Sequence, residues 1–311
     1  MATATVWYLH GIQLPSGSWI SQLTDLTPAT STAHLVGYAS GAVVPSFRAA
    51  QGVRPEFTFS TPQIGTVLTA CGLPGVGYAA NYADLYFRKS SNLGGRVSIV
   101  TAEHQRLRAM RFFLYWTRIS AGQDGEARIE CRLVPTYDGT NAPLVPAGTV
   151  AIPFYVLASE FYTLGPVVLN GVEVADLSEW SLDLGARMRE RASSGQDFLS
   201  FCGVESHDPV LTCTTGDAAW WVSPGLSGAQ LTTAKFFLRR RQPDQTRCYA
   251  DGSAQHIAVS AVDNPCGLVT VERSGGAGPD PATVSLRAGF RISAVADAHP
   301  LSLDLAAAIT W

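Results

Sequence analysis

Residues 127–135 read ARIECRLVP, and apolar and polar side chains alternate along them over eight positions. A period of two is typical of a β-strand that turns one face toward a core and the other toward water or a partner. Residues 282–292, ATVSLRAGFRI, alternate in the same way. Turn signals rich in glycine, aspartate and proline occur at 121–125, 137–143 and 274–281. The sequence therefore predicts a mainly β fold whose strands are joined by hairpins.

The chain resembles itself at an offset of about 150 residues, which is a domain length and not a solenoid repeat. Four blocks recur in the same order: 54–62 matches 208–216, 83–89 matches 234–240, 103–105 matches 255–257, and 114–122 matches 268–276. This pattern predicts the duplication of a whole domain. Two similar units on one chain would let three chains build a ring of six quasi-equivalent positions.

The repeat divides the chain into four predicted segments. They are an N-terminal arm (1–33) that packs on the same chain or a neighbour, a first domain (34–152), an ordered connector (153–164) and a second domain (165–311). We expect two tandem, similar domains, each a β-sandwich or half-barrel that carries one short α-helix.

The first helix is predicted over residues 61–71. Thr61 is a candidate N-cap, Pro62 would occupy the first helical position, and Gly72 would end the helix. The second helix is predicted at the matching place, 215–221, on a less regular sequence.

Composition limits the possible functions. A hydrophobic content of 46% indicates folded domains, and a net charge of −3 gives no basic exterior for binding nucleic acid. A mildly negative channel would let DNA pass without sticking. The six cysteines contain no CxxC pair, so we expect buried free thiols. No secretory signal and no apolar run long enough for a membrane span are recognised.

No nucleotide-binding loop, metalloprotease motif or nucleophile elbow is present. We therefore predict no catalytic, cofactor-binding or metal-binding residues, and an enzyme is the least favoured class. His104 and His256 occupy matching places, which suggests either a repeated ligand or, preferably, a partner-facing or hydrogen-bonded histidine inherited by duplication. His207 and Asp208 lack an activated nucleophile for a catalytic triad.

Two groups of arginines could bind a partner. The candidate interface residues are Arg187, Arg189, Arg191, Arg239, Arg240 and Arg241, together with the large anchor Trp180. The arginines could contact phosphates. Net negative charge favours instead salt bridges to a neighbouring subunit, with Glu173, Asp176, Glu179 and Asp183 as possible partners.

Residues 165–185 read GPVVLNGVEVADLSEWSLDLG: a strand, an Asn-Gly turn and a second alternating strand. This opening resembles that of the tail tube proteins of long-tailed bacteriophages, and the resemblance extends over much of 165–311 and, through the repeat, over 34–152. It implies small β-sandwich domains whose inner strands join into one barrel, in hexameric rings that stack into a tube. Some family members carry two such domains on one chain, so that a trimer forms a pseudo-hexameric ring.

The resemblance implies a structural virion protein that is assembled in the host cytoplasm. Its partners would be other copies of itself, other tail proteins, and double-stranded DNA that passes through the channel without specific binding. A distal-tail, baseplate-ring or tail-terminator protein of the same fold is an alternative. Another is a carbohydrate-binding or receptor-binding β-sandwich in which Trp220 and Trp221 form a stacking platform.

Overall fold

The computed structural model describes residues 6–37, 44, 47–73, 75–78, 81–90, 96–155, 160–192, 197–217, 230–244, 247–261, 267–274, 283–290 and 299–310. The elements of the first half are β1 (Trp7–Gln13), β2 (Trp19–Ile20), β3 (Thr24–Gly37), β4 (Phe47–Thr61), α1 (Ile64–Cys71), β5 (Val76–Tyr78), β6 (Ala83–Lys89), β7 (His104–Ala109), β8 (Arg111–Gly122), β9 (Arg128–Thr136) and β10 (Leu144–Val150).

The second half contains only strands among its described residues. They are β11 (Tyr162–Leu169), β12 (Val172–Glu173), β13 (Leu177–Asp183), β14 (Arg187–Ala192), β15 (Leu199–Ser206), β16 (Val210–Thr215), β17 (Gln230–Leu231), β18 (Ala234–Arg240), β19 (His256–Ala261), β20 (Gly267–Ser274), β21 (Thr283–Gly289) and β22 (Leu301–Ala307). The prediction of a mainly β fold is confirmed.

One large sheet passes through both halves in the order β17-β20-β21-β16-β13-β8-β9-β4-β3, and β5 pairs with β8 beside this path. A smaller sheet, β10-β7-β6-β1-β2, belongs to the first half, and another, β12-β11-β18-β19-β22, belongs to the second. β14 and β15 form a separate two-stranded ribbon.

The two halves have the same strand order. In the large sheet β8-β9-β4-β3 corresponds to β20-β21-β16-β13, and in the smaller sheets β10-β7-β6-β1-β2 corresponds to β22-β19-β18-β11-β12. The strands of the four repeated sequence blocks occupy equivalent places in this comparison. Duplication as the origin of the symmetry stays a prediction.

The alternating stretches behave as predicted. In β9 the side chains of Ile129, Cys131 and Leu133 are buried, whereas those of Glu130 and Arg132 are exposed. Alternation therefore separates a core face from a polar face. One hydrophobic cluster runs through both halves instead of forming two separate cores, because β13 pairs with β8 and joins the two parts of the large sheet.

The segment predicted as an N-terminal arm packs within the chain. β1 pairs with β6, and Ile12 and Ile20 are fully buried. The predicted boundary at residue 34 falls inside β3, and the one at residue 165 falls inside β11. The repeated blocks begin only at residues 54 and 208, so they do not mark where β3 and β11 begin.

Helix α1 begins at Ile64, two residues later than the predicted first helical position, and its N-cap position is Gln63. Thr61 ends β4 instead of capping the helix, and its Oγ1 accepts the Gln63 N–H at 3.2 Å. The cap comes from the predicted connector, where the Glu160 carboxylate accepts the backbone N–H of Thr66 at 3.1 Å. Gly72 ends the helix as predicted. In the second half, residues 218–221 of the predicted helix lie outside the described residues.

Candidate assembly interface

The two halves meet where β13 lies beside β8. The ladder pairs Trp180 with Ala121, Ser181 with Ser120, and Asp183 with Arg118 in antiparallel register. We call this ladder the internal seam. It uses the outer edge of β13 from the second half and the outer edge of β8 from the first.

Within the described strands, the large sheet has an edge at each end with little or no strand pairing. At one end β3 pairs with β4 alone among these strands. At the opposite end β20 pairs with β21, and in the described part of the chain its outer edge is covered by β17 at Gly267 and Leu268. Unpaired backbone N–H and C=O groups at a sheet edge can pair with another chain. In the comparison of the halves, β3 corresponds to β13 and β20 corresponds to β8. The internal seam joins an edge of β13 to an edge of β8. The two end edges of the sheet are therefore the equivalents of the two edges that the seam joins.

Away from the end that the β14–β15 ribbon covers, the face of the large sheet opposite the core is polar. Three shallow depressions on it, one of about 540 Å³, are lined largely by hydroxyl and charged side chains. The charged lining residues are four arginines (Arg118, Arg128, Arg132, Arg287) and five acids (Glu126, Glu130, Glu179, Asp183, Asp208). Among the described residues that line these depressions, opposite charges are interspersed and the acids outnumber the arginines by one.

The three arginines of β14 lie on the exposed face of the β14–β15 ribbon. Arg187, Arg189 and Arg191 are all exposed, while Met188 and Glu190 between them turn inward. The guanidiniums form no ion pair with any described residue, including the four predicted acidic partners. They are therefore available to a partner.

The inner face of the ribbon packs on the first half of the chain. Met188 and Leu199 contact a cluster that contains Phe113, Tyr115 and Val134. Arg54 forms an ion pair with Glu190 at 2.6 Å. Burial raises the pKa of the Glu190 carboxyl, and the neighbouring Arg54 acts in the opposite direction. The ribbon is thus held by apolar and ionic contacts, leaving the arginine row outside.

The second arginine group has partners within the chain. Arg239 donates two hydrogen bonds of 3.0 Å to the Asp251 carboxylate, which hold the pKa of that carboxyl below its usual range. Arg240 donates to Gln255 at 2.9 Å. The backbone N–H of Arg241 donates to the Phe161 carbonyl at 2.7 Å. All three side chains are half-buried on or next to β18, so they make a poorer intermolecular surface than the β14 row.

Trp180 is not a surface residue. Its side chain is 1% exposed and its ring meets that of Phe236 edge-on, with centroids 5.8 Å apart. The prediction that Trp180 is an intermolecular anchor was therefore wrong for its side chain, because alternation along β13 turns this position toward the core. Trp220 and Trp221 lie outside the described residues.

The two matching histidines make the same contacts. His104 Nδ1 accepts the Lys89 N–H at 3.2 Å, and His256 Nδ1 accepts the Arg240 N–H at 3.1 Å. The Nε2 atom of each lies within 3.0 Å of a backbone carbonyl six residues earlier. Both side chains are fully buried. This geometry favours the hydrogen-bonded interpretation, in which each ring links a loop to two strands by hydrogen bonds.

His207 contacts His299 edge-on, with ring centroids 5.0 Å apart. His299 Nδ1 accepts the Leu301 N–H at 3.1 Å, which places the proton of the neutral ring on Nε2. Burial, with a smaller contribution from His207, lowers the pKa of His299 to about 4. The pair is therefore neutral at pH 7.

We expect this pair to make the fold acid-sensitive. Between the ordinary histidine pKa of 6.5 and about 4, the unfolded chain binds a proton at His299 that the folded chain does not bind. The free energy of unfolding should thus fall by about 2–3 kcal/mol as the pH falls through this window. The variant His299→Asn keeps an acceptor for Leu301 but cannot titrate, so its denaturation curves should depend less on pH. Parallel curves for both proteins would contradict the expectation.

Sequence reasoning missed the features that depend on distant contacts. Neither the Glu160 cap nor the docking of the ribbon on the first half has a local sequence signal. The internal seam has no local sequence signal either, because it depends on which strand edge of each half is left unpaired within that half.

No model of a known protein family matches the chain, and no curated protein matches it. Within the part of the chain that the structure describes, no helix has the length and apolar character needed to cross a membrane.

Proposed function

We propose that the protein is a structural subunit that assembles into closed rings through its sheet edges, as the tail tube subunit of a long-tailed phage. The observation that carries the proposal is the internal seam, together with two open edges of the same kinds at the ends of the same sheet. A contact that uses two different edges is heterologous, and repeating it with a fixed rotation closes a ring.

The internal seam supplies a register for the contact between chains. Ser181 lies opposite Thr212 in β16, and Thr27 lies opposite the equivalent Thr58 in β4. Ser120 and Ser274 are equivalent in the repeat. The pair Ser181–Ser120 within the chain therefore corresponds to Thr27 of one chain beside Ser274 of the next. Pro28 has no backbone N–H, so it could contribute only its carbonyl to this ladder.

Three chains would complete the ring. Each contributes two equivalent sets of four strands to the large sheet, so a trimer presents six quasi-equivalent positions. Fusing the units in pairs leaves only three intermolecular seams and lowers the entropy cost of assembly.

The polar face supports a channel for DNA. In a closed ring whose core lies outside, this face lines the lumen. The charges that line its depressions, five acids and four arginines, are interspersed and suit passage of double-stranded DNA without specific binding, because tight binding needs several unopposed cations on the phosphates. The rings would stack into a tube within the virion, beside other tail proteins, with no enzymatic role. A distal-tail, baseplate-ring or tail-terminator protein would form the same ring.

Electron microscopy of the purified protein tests the proposal. We expect rings or tubes with threefold symmetry and a central channel. Tubes favour the tube subunit, whereas single rings that never stack favour one of the other tail positions. A monodisperse monomer at high concentration, especially one that binds glycans, would overturn the proposal in favour of a carbohydrate-binding module.

A further inference from the structure

The two halves also meet outside the large sheet, at the start of β11. The Tyr162 carbonyl accepts the N–H of Ala127, the residue before β9, at 2.7 Å. The Tyr162 side chain is buried, and its hydroxyl lies so close to Gly65 of α1 that an added Cβ there would come within 3.2 Å of it. Both interactions join the second half to the first. We call them together the lateral contact.

β1 is the equivalent of β11 in the first half, and strand pairing gives the register. Tyr162 lies opposite Arg240 in β18, and Trp7 lies opposite Lys89 in β6. Lys89 and Arg240 are the last residues of the repeated blocks 83–89 and 234–240. Trp7 is therefore the counterpart of Tyr162.

A backbone hydrogen bond next to this pair confirms the register. In the second half the Arg241 N–H donates to the Phe161 carbonyl at 2.7 Å. In the first half the Ser90 N–H donates to the Val6 carbonyl at 2.9 Å. Val6 is therefore the counterpart of Phe161, and the starts of β1 and β11 have the same backbone structure.

The two strand starts differ in how far they are covered. Tyr162 is 3% exposed, whereas Trp7 is half-buried. Phe161 is half-buried, whereas Val6 is 49% exposed, and Tyr8 on the other side of Trp7 is 48% exposed. β11 has the first half beside it, but the counterpart of that neighbour for β1 could come only from another chain. The exposed aromatic and apolar side chains mark the surface that such a neighbour would cover.

We propose that the start of β1, residues Val6 to Tyr8, docks on the second half of a neighbouring copy of this chain, beside the start of β21. This inference rests on the proposed function, because the neighbour is the next chain of the ring. Each boundary between chains then has a lateral contact in addition to the pairing of sheet edges, as the boundary within the chain has. Trp and Tyr are the side chains that most often dominate the binding energy of an interface.

One neighbour can receive both contacts. Within the chain, the second half presents β13 and β11, and the first half receives them at β8 and just before β9. The equivalent strands are β3 and β1 on one chain, and β20 and β21 on the next. A chain whose β3 pairs with β20 of its neighbour thus brings β1 toward β21 of the same neighbour. A single rotation between chains satisfies both contacts, which a closed ring requires.

Charged substitutions test the contact. The double variant Val6→Glu with Tyr8→Glu should fold normally, because both side chains are exposed, and circular dichroism would verify this. The protein concentration at which half of the chains are in rings should rise at least about tenfold, as expected when an interfacial aromatic residue is lost. Sedimentation velocity measures that concentration.

Tyr82→Glu is the matched control. Tyr82 is 45% exposed in the same half, and its counterpart in the second half, Thr233, is exposed as well. The boundary between the halves therefore does not cover this position, so the variant should form rings at the wild-type concentration.

Hydroxyl-radical footprinting of the wild-type protein gives an independent measurement. Oxidation of Trp7 and Tyr8 should fall several-fold when the concentration is raised until rings form, while oxidation of Tyr82 stays the same. Rings in which Trp7 and Tyr8 are oxidised as in the monomer would overturn the inference and leave the ring proposal intact. Assembly of the double variant at the wild-type concentration would do the same. Absence of rings in the wild-type protein would remove both proposals.

Discussion

A disulfide between Thr27→Cys of one chain and Ser274→Cys of the next is expected to link the chains covalently into a closed trimer. Residues directly opposite each other in an antiparallel ladder have Cα atoms about 4.5–5.5 Å apart, which lies within the range that a disulfide spans. Mild oxidation of the double variant should give a ladder of bands that ends at the trimer on a non-reducing gel. Reductant should return all of it to the monomer.

The internal seam supplies the matched control. Ser120→Cys and Ser181→Cys occupy the equivalent pair within one chain. This variant should oxidise without any increase in mass and should lose two free thiols. Each single cysteine variant should stay monomeric on the gel, which excludes crosslinking through the native cysteines. A double variant at 27 and 274 that gives no crosslink, while the internal pair oxidises fully, would contradict the proposed register.

Trp180→Ala is expected to lower the free energy of unfolding by about 3–5 kcal/mol, because it leaves a large cavity in a packed core. The ring lies on the strand that joins the two halves, so the loss should affect the whole transition. Urea denaturation followed by circular dichroism measures the change.

Val172→Ala is the control for Trp180→Ala, since Val172 is 58% exposed. We expect a change within about 0.5 kcal/mol for this surface position. A loss below about 1 kcal/mol for Trp180→Ala would mean that the ring is not part of the core. Trp180 would then again be a candidate for an intermolecular contact.

The correctly predicted features are local ones. Period-two alternation predicted β9 and β21, and the end of α1 at Gly72 followed from the glycine. The start of α1 was wrong, and the Thr66 N–H in its first turn is satisfied by Glu160, which is 94 residues from Thr66 in sequence. A side chain so distant cannot be assigned as a cap from a local pattern.

The candidate interface could be predicted only in part. The sequence named Arg187, Arg189 and Arg191 as candidate interface residues, and the structure shows that they lie on an exposed face of β14. The same kind of pattern could not tell whether Trp180 faces a core or a partner, because alternation defines two faces but not what covers each. The sequence likewise does not show that Arg239 has a partner; the structure places Asp251 beside it.

The sequence by itself determined that this chain is mainly β and that its two halves repeat the same blocks, since alternation, turns and self-similarity are properties of neighbouring or aligned residues. Only the tertiary structure decided which strand edges are joined and which are left open. Pairing between β13 and β8 depends on backbone groups that every residue carries, so no side-chain pattern specifies it until the whole sheet is assembled.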